Sequence, residues 1–157
     1  MKGILVSVLC ILLIPIAEAQ QLPVKLELIE PTSGSNAPTI NLNQIFDLEI
    51  RVDTQGREIN GYDIFLEYDP EHLEVQDQDP DTPGIQPYAK GDFLGGIVTR
   101  NEVEGNVLCY SELLLPGSRS GAGVAAKVSF KALKPTDSGV TVVAFVFDPA
   151  ANHCLLY

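Results

Sequence analysis

The chain has 157 residues, with 21 acidic and 10 basic side chains and a formal net charge of -11. The few Lys and Arg residues are scattered along the sequence, which argues against a nucleic-acid-binding protein, because phosphate binding needs clustered positive charge. Residues 20–157, which follow an N-terminal leader, have the length of one domain with a two-layer core.

Residues 1–19 have the pattern of a secretory signal peptide. Lys2 supplies the positive charge, residues 4–16 form the apolar segment, and Ala17-Glu18-Ala19 is a small-x-small cleavage site. We expect cleavage before Gln20 and a mature chain that is secreted or displayed at the cell surface. No later stretch is long and apolar enough to cross a bilayer.

From residue 24 onward, short apolar or alternating runs are separated by turns rich in Gly and Pro, and helical periodicity is absent. This pattern predicts an all-β fold, an antiparallel β-sandwich of jelly-roll topology with about eight or nine strands. The predicted strands, in chain order, are 24–29, 46–52, 61–68, 73–75, 97–103, 107–113, 124–133 and 140–147.

The third predicted strand shows the clearest alternation of the chain. One face carries four large apolar or aromatic side chains, namely Tyr62, Ile64, Leu66 and Tyr68. The other face carries Gly61, Asp63, Phe65 and Glu67. A half-buried strand has this two-residue period, and Asp69-Pro70 ends it because proline removes a hydrogen-bond donor from the ladder.

The sequence indicates no catalytic site. Its two histidines, His72 and His153, show no metal-ligand spacing. Residues 117–121 (Gly-Ser-Arg-Ser-Gly) look like a nucleophile elbow, but Arg119 stands at the central position and the surroundings predict a loop between strands rather than a strand-to-helix turn. We therefore expect a protein that is not an enzyme.

One acidic loop is a candidate calcium site. Asp77, Asp79 and Asp81 alternate along it, and carboxylate oxygens are ligands that calcium prefers. The loop lacks the spacing of a helix-loop-helix calcium site, and its prolines are typical of an exposed connector. No cofactor is expected, and calcium is kept as an alternative.

Cys109 and Cys154 remain after removal of the leader. Export would allow a disulfide between them. Cys109 lies in an apolar run, however, where a free thiol packs well as a small hydrophobic group. Both states are consistent with the sequence.

Two blocks in their order and spacing resemble the cohesin module of bacterial polysaccharide-degrading systems. They are Tyr68-Asp-Pro-Glu-His-Leu-Glu-Val75 and Gly121-Ala-Gly-Val-Ala-Ala-Lys-Val-Ser-Phe130. The resemblance extends over nearly all of the mature chain, from about Val24 to Tyr157. It implies a non-catalytic module that binds a dockerin-type protein partner in extracellular polysaccharide degradation.

Two other functions are consistent with this resemblance. The superfamily also contains carbohydrate-binding modules, so a polysaccharide ligand is one alternative, and a structural domain of a cell-surface protein is another. A sugar-binding surface would use a planar row of exposed aromatic side chains, best with tryptophan, and the chain has no tryptophan. A protein partner is therefore expected.

The resemblance also implies a contact face. Cohesins bind with one sheet face, here the strand with Asp63 and the strand around 108–112. Aligned on Tyr68-Asp69-Pro70, Asp63 matches the family's contact aspartate, whereas Gly61 replaces an asparagine. The predicted contact residues are Asp63, Phe65, Glu67, Leu108, Tyr110 and Glu112. The reverse assignment of the second strand is also open, because Val107, Cys109 and Leu113 form an equally apolar face.

The family's closing strand follows some distance after a position like Asn152. The sequence given ends at Tyr157, before that strand. We therefore expect a C-terminally truncated domain in which the first strand lacks a neighbour and the backbone groups along its edge are unpaired.

Overall fold

The structure is a computed structural model that describes residues 24–137 and 139–146. The predictions on the leader, on Cys154 and on the closing strand concern residues outside these ranges.

The described residues form nine β-strands and no α-helix, so no helix in this part of the chain could cross a membrane. The strands are β1 (Lys25–Ile29), β2 (Ile45–Asp53), β3 (Gly61–Glu67), β4 (Leu73–Val75), β5 (Tyr88–Lys90), β6 (Ile97–Glu104), β7 (Val107–Leu113), β8 (Ala122–Ala132) and β9 (Ala144–Phe145).

The strands make two antiparallel sheets, which confirms the predicted sandwich. The first sheet has the order β1-β2-β8-β4, and β5 also pairs with β8. The second has the order β6-β7-β3-β9. Both β4 and β5 use the same β8 strand, since β4 pairs along residues 130–132 and β5 along residues 126–128.

The core lies between the sheets and follows from two-residue alternation along the long strands. β2 and β8 contribute inward side chains such as Ile50 and Phe130, and β3 and β7 contribute inward side chains such as Ile64 and Leu108; all four are fully buried. Burial of one such side chain contributes about 1.5–3 kcal/mol relative to exposure. The two-layer core thus depends on four strands with matched alternation.

A side chain links the two sheets along one edge of the sandwich. The backbone N–H of Tyr88 in β5 donates to Oδ1 of Asn101 in β6 at 3.0 Å, and Nδ2 of Asn101 donates to the carbonyl of Tyr88 at 2.8 Å. The side-chain amide of Asn101 therefore makes the pair of hydrogen bonds that the backbone of a neighbouring strand would make. It holds β5 of the first sheet against β6 of the second.

The turn after β1 is organised by one carboxylate. Glu30 accepts hydrogen bonds from the Ser33 hydroxyl at 2.5 Å and from the backbone N–H groups of Thr32 and Ser33 at 2.9 and 2.7 Å. These hydrogen bonds lower the pKa of Glu30 from 4.5 to about 2, and the bond from the Ser33 hydroxyl has the largest effect.

This lowered pKa predicts a specific acid sensitivity. Because the folded chain binds the proton of Glu30 more weakly than the unfolded chain does, ionised Glu30 stabilises the fold above pH 4.5, and this contribution is lost as the pH falls towards 2. Urea midpoints of wild type and Glu30→Gln should differ at pH 6 and converge near pH 2. A difference that stays constant over this range would contradict the assignment.

Candidate partner-binding face

The register between β3 and β7 decides which of their side chains share a face. Ile64 lies opposite Tyr110, and Leu66 lies opposite Leu108. Directly opposite residues of an antiparallel pair point to the same side of the sheet, and all four of these side chains belong to the buried core. The remaining set therefore points away from the core: Asp63, Phe65 and Glu67 on β3, and Val107, Cys109, Ser111 and Leu113 on β7.

The predicted outward direction of Asp63, Phe65 and Glu67 on β3 agrees with the structure, whereas the predicted direction of the β7 residues is wrong. The role of these residues as partner contacts stays a prediction. Leu108, Tyr110 and Glu112 point inward, and each has 0% exposure. A shift of one position moves every side chain of a strand to the opposite face. The reverse assignment, which the apolar character of Val107, Cys109 and Leu113 left open, is the one that the structure shows.

Glu112 is a buried carboxylate with a complete set of partners. Its Oε2 accepts from the hydroxyl of Tyr62 at 2.5 Å, and its Oε1 accepts from the N–H of Gly96 at 2.7 Å and lies 3.2 Å from Nζ of Lys90. Burial, reinforced by the Glu112 carboxylate, raises the pKa of Tyr62. The phenol therefore stays protonated and donates a hydrogen bond to Glu112. Lys90 also donates to the carbonyl of Gly96. This cluster fixes the loop before β6.

We call the side of the second sheet that faces away from the core the outward face. β6 adds to it Ile97, Arg100, Glu102 and Glu104, which lie opposite the outward residues of β7. β9 adds Ala144, opposite Glu67. The N–H of Val146 donates to the carbonyl of Phe65 at 3.0 Å, so the chain continues alongside β3 beyond β9.

The centre of the outward face is covered by Arg100. The guanidinium of Arg100 lies 5.6 Å from the ring centroid of Phe65, in cation–π geometry. It is held there by ion pairs of 2.6 Å to Glu102 and 2.6 Å to Glu104. Phe65 and Cys109 are only 8% and 1% exposed. The centre therefore offers little apolar surface to a partner.

One accessible apolar patch lies at the end of the outward face where β7 ends. Ile97 is 71% exposed and Leu115, two residues beyond the end of β7, is 64% exposed, while Leu113 at the end of β7 is half-buried. We call these three residues the apolar corner. Ile97 lies opposite Leu113 in the ladder, and Gly96 allows the close approach, because a Cβ there would lie 2.3 Å from the carbonyl oxygen of Leu113. Sequence reasoning missed Ile97 and Leu115 because alternation alone does not separate an exposed from a covered outward position.

Cys109 is buried and has no disulfide partner among the residues that the structure describes. Burial raises the pKa of this thiol to about 11, so it stays protonated and is a poor nucleophile at neutral pH. Because Cys154 lies outside the described residues, the disulfide between these two cysteines stays a prediction.

The carboxylates of Asp77 and Asp79 in the acidic loop accept hydrogen bonds from within residues 79–86. Oδ1 of Asp77 accepts from the N–H groups of Asp79 and Gln86 at 3.1 and 3.0 Å, and Oδ2 of Asp79 accepts from the hydroxyl of Thr82 at 2.7 Å. Within residues 24–137 and 139–146, no group of three or more acidic, His or Cys side chains is arranged to hold a metal ion. The alternation of Asp77, Asp79 and Asp81 therefore does not bring the three together as a calcium cage.

Solved structures similar to this one include cohesins. A type II cohesin domain from the cellulosome of Acetivibrio cellulolyticus matches with a TM-score of 0.64 and 17% identity over 87% of this chain and 84% of its own. Type II cohesin A11 from Bacteroides cellulosolvens matches with a TM-score of 0.62 and 20% identity over 84% of this chain and 85% of its own.

The chain has the cohesin fold.

Chains from two cohesin-dockerin complexes also have a similar fold. A chain of a type II cohesin-X-dockerin complex from Acetivibrio cellulolyticus matches with a TM-score of 0.62 and 18% identity, over 85% of this chain and 87% of its own. A chain of a type I cohesin-dockerin complex from Clostridium thermocellum matches with a TM-score of 0.58 and 13% identity, over 79% of this chain and 82% of its own. No protein-family model and no curated protein matches the sequence. The likeness to these cohesin structures is therefore one of fold, at 13–20% sequence identity.

Proposed function

We propose that this chain is a secreted, non-catalytic binding module that docks a dockerin-type protein through its outward face, in an extracellular assembly for polysaccharide degradation. The observation that carries the proposal is the cohesin fold, shared with chains from cohesin-dockerin complexes over most of their length. The leader-like residues 1–19 support export.

The composition of the outward face fits a protein partner. The apolar corner supplies exposed aliphatic surface, and Arg100 with its two glutamates supplies a charged region beside it. Protein interfaces combine exposed apolar patches with neighbouring charged and polar groups. Asp63, at the position of the family's contact aspartate, is partly exposed on the same face.

A polysaccharide ligand is less well supported. Within the described ranges every Tyr and Phe side chain is buried or half-buried, so these residues form no exposed aromatic platform on which a sugar ring could stack.

Charged substitutions in the apolar corner should weaken the partner without unfolding the domain. Ile97→Asp and Leu115→Asp each place a carboxylate where we expect an apolar contact, and each should cost about 1–3 kcal/mol of binding free energy. The melting temperature should change little, because both side chains are exposed in the free protein. The measurement is calorimetric titration with dockerins encoded in the genome that carries this gene, with thermal unfolding of the same samples.

Ile45→Asp is the matched control. Ile45 is 58% exposed and lies on β2 in the first sheet, where its neighbour Phe46 packs against the core. The Ile45→Asp substitution should leave the affinity for dockerin unchanged. Equal losses for all three variants would place the contact elsewhere, and binding of cellulose or xylan without binding of any dockerin would favour the polysaccharide alternative.

A further inference from the structure

A cleft opens at the end of β3, where the outward face meets the turn before β4. Its volume is about 540 Å³, which is within the range of about 300–1,000 Å³ that is usual for small-molecule sites. Its lining includes the polar residues Glu67, Asp69 and Asn106 and the apolar residues Val142 and Ala144.

Both carboxylates of the cleft are positioned by contacts within the chain. Oε1 of Glu67 accepts from Nδ2 of Asn106 at 2.9 Å, and the N–H of Tyr68 donates to the carbonyl of Asn106 at 3.1 Å. Oδ1 of Asp69 accepts from the N–H of Glu71 at 2.9 Å. Each of these bonds uses one oxygen of the carboxylate, so the contacts orient both acids.

The lining of the cleft is acidic. Of the described residues that line it, two are carboxylates and none is Lys or Arg. His72 also lines the cleft, and its Nε2 lies 3.7 Å from Oδ2 of Asp69. The charge of the lining thus favours a cationic group, and the Val142 and Ala144 side is suited to an aliphatic stem.

The cleft is continuous with the outward face. Glu67 is an outward residue of β3 and Ala144 lies opposite it on β9, and both also line the cleft. A protein bound across the outward face would therefore have its edge at the mouth of the cleft, at the end opposite to the apolar corner.

We propose that this cleft is a subsite for one basic side chain, an arginine or a lysine, of the protein that docks on the outward face. The cationic head pairs with Glu67 and Asp69, and the methylene stem lies along Val142 and Ala144. Arginine suits the site best, because its planar guanidinium can bridge two carboxylates. The role of the cleft in partner binding rests on the proposed function, whereas its affinity for a guanidinium does not.

The affinity of the cleft is measurable without any dockerin. Nα-acetyl-arginine amide is titrated into the isotopically labelled protein at pH 7.5, and the neutral analogue Nα-acetyl-citrulline amide is titrated in parallel. We expect millimolar binding of the arginine probe, with amide shifts confined to residues 67–69, 106 and 141–144, and no saturable shifts with citrulline. Shifts of equal size with both probes, or none with arginine, would overturn the proposal.

Isosteric variants test the two acids. Glu67→Gln with Asp69→Asn keeps the acceptor oxygens that bond Asn106 and Glu71, and it should weaken the arginine probe about threefold to tenfold. The matched control is Glu27→Gln with Asp47→Asn on β1 and β2 of the other sheet, which should leave the probe's affinity unchanged. Calcium chloride is a third titrant: shifts of the cleft amides with calcium but not with arginine would assign the cleft to a divalent ion and overturn the proposal.

A dockerin titration then separates the two proposals. If a dockerin binds, the Glu67→Gln with Asp69→Asn variant should bind it more weakly and with a smaller dependence on salt concentration. Unchanged dockerin affinity in that variant would overturn the role of the cleft in docking while leaving the proposed function in place. If no dockerin binds although arginine does, the proposed function fails and the cation affinity of the cleft stands.

Discussion

Tyr110→Ala should destabilise the domain by about 3–5 kcal/mol, the usual cost of removing a large buried aromatic side chain. Tyr110 has 0% exposure, and its ring centroid lies 6.2 Å from that of Tyr62 and 5.2 Å from that of Tyr88. The truncation leaves a cavity between the two sheets. Urea denaturation followed by circular dichroism at neutral pH measures the loss.

Tyr110→Phe is the matched control, because it keeps the ring and removes only a hydroxyl 3.4 Å from Glu112. It should cost about 1 kcal/mol or less. If Tyr110→Ala instead left the urea midpoint unchanged and abolished partner binding, Tyr110 would be an outward contact residue and the face assignment given by the β3–β7 register would be wrong.

Glu112→Ala should cost a similar amount, about 3–5 kcal/mol, because it removes a fully buried carboxylate that is the shared acceptor of several donors. The substitution leaves the Lys90 ammonium, the Tyr62 hydroxyl and the Gly96 N–H without their shared acceptor. The loop before β6 should loosen as well, which would appear as faster amide hydrogen exchange around Gly96.

Two variants distinguish this electrostatic cost from a simple cavity. Glu112→Gln keeps an acceptor for Gly96 and should lose less than Glu112→Ala. Glu112→Leu combined with Lys90→Met removes both charges and should recover part of the stability, since a well-packed apolar pair often replaces a buried ion pair at little cost. Equal losses in Glu112→Ala and in the double variant would show that the charges do not matter.

The strand pattern was largely predictable from sequence. β7 has the predicted bounds, β2 extends the predicted run 46–52 by one residue at each end, and β6 extends the predicted run 97–103 by one residue at its C-terminal end. Two-residue alternation of apolar side chains, interrupted by Gly and Pro turns, is sufficient to locate such strands. β5 was missed because three residues are too few to show alternation.

The face of β7 was not predictable from its own sequence. Its two faces are about equally apolar, with Leu108 and Tyr110 on one and Val107 and Cys109 on the other. Glu112 suggested an outward position, because carboxylates are rarely buried unless they are paired. Its partners Tyr62 and Lys90 come from other strands, so only the folded chain shows that the charge is satisfied.

The cover over Phe65 depends on a similar long-range arrangement. Arg100 reaches its place because β6 contains an irregularity between Val98 and Arg100 that shifts the register against β7. A bulge of this kind changes which side chains share a face. The apolar corner follows from the same local geometry, since Ile97 lies just before the irregularity and remains exposed.

Hydrogen exchange tests most directly whether the outward face binds the partner. Amide exchange of the full chain is measured with and without a saturating dockerin that binds it. We predict slower exchange in β6, in β3 and in residues 107–115, with no change in β1, β2 or β8. Protection concentrated in β1, β2 and β8, with unchanged exchange in β3, β6 and β7, would show that the partner binds the other sheet and would contradict the account.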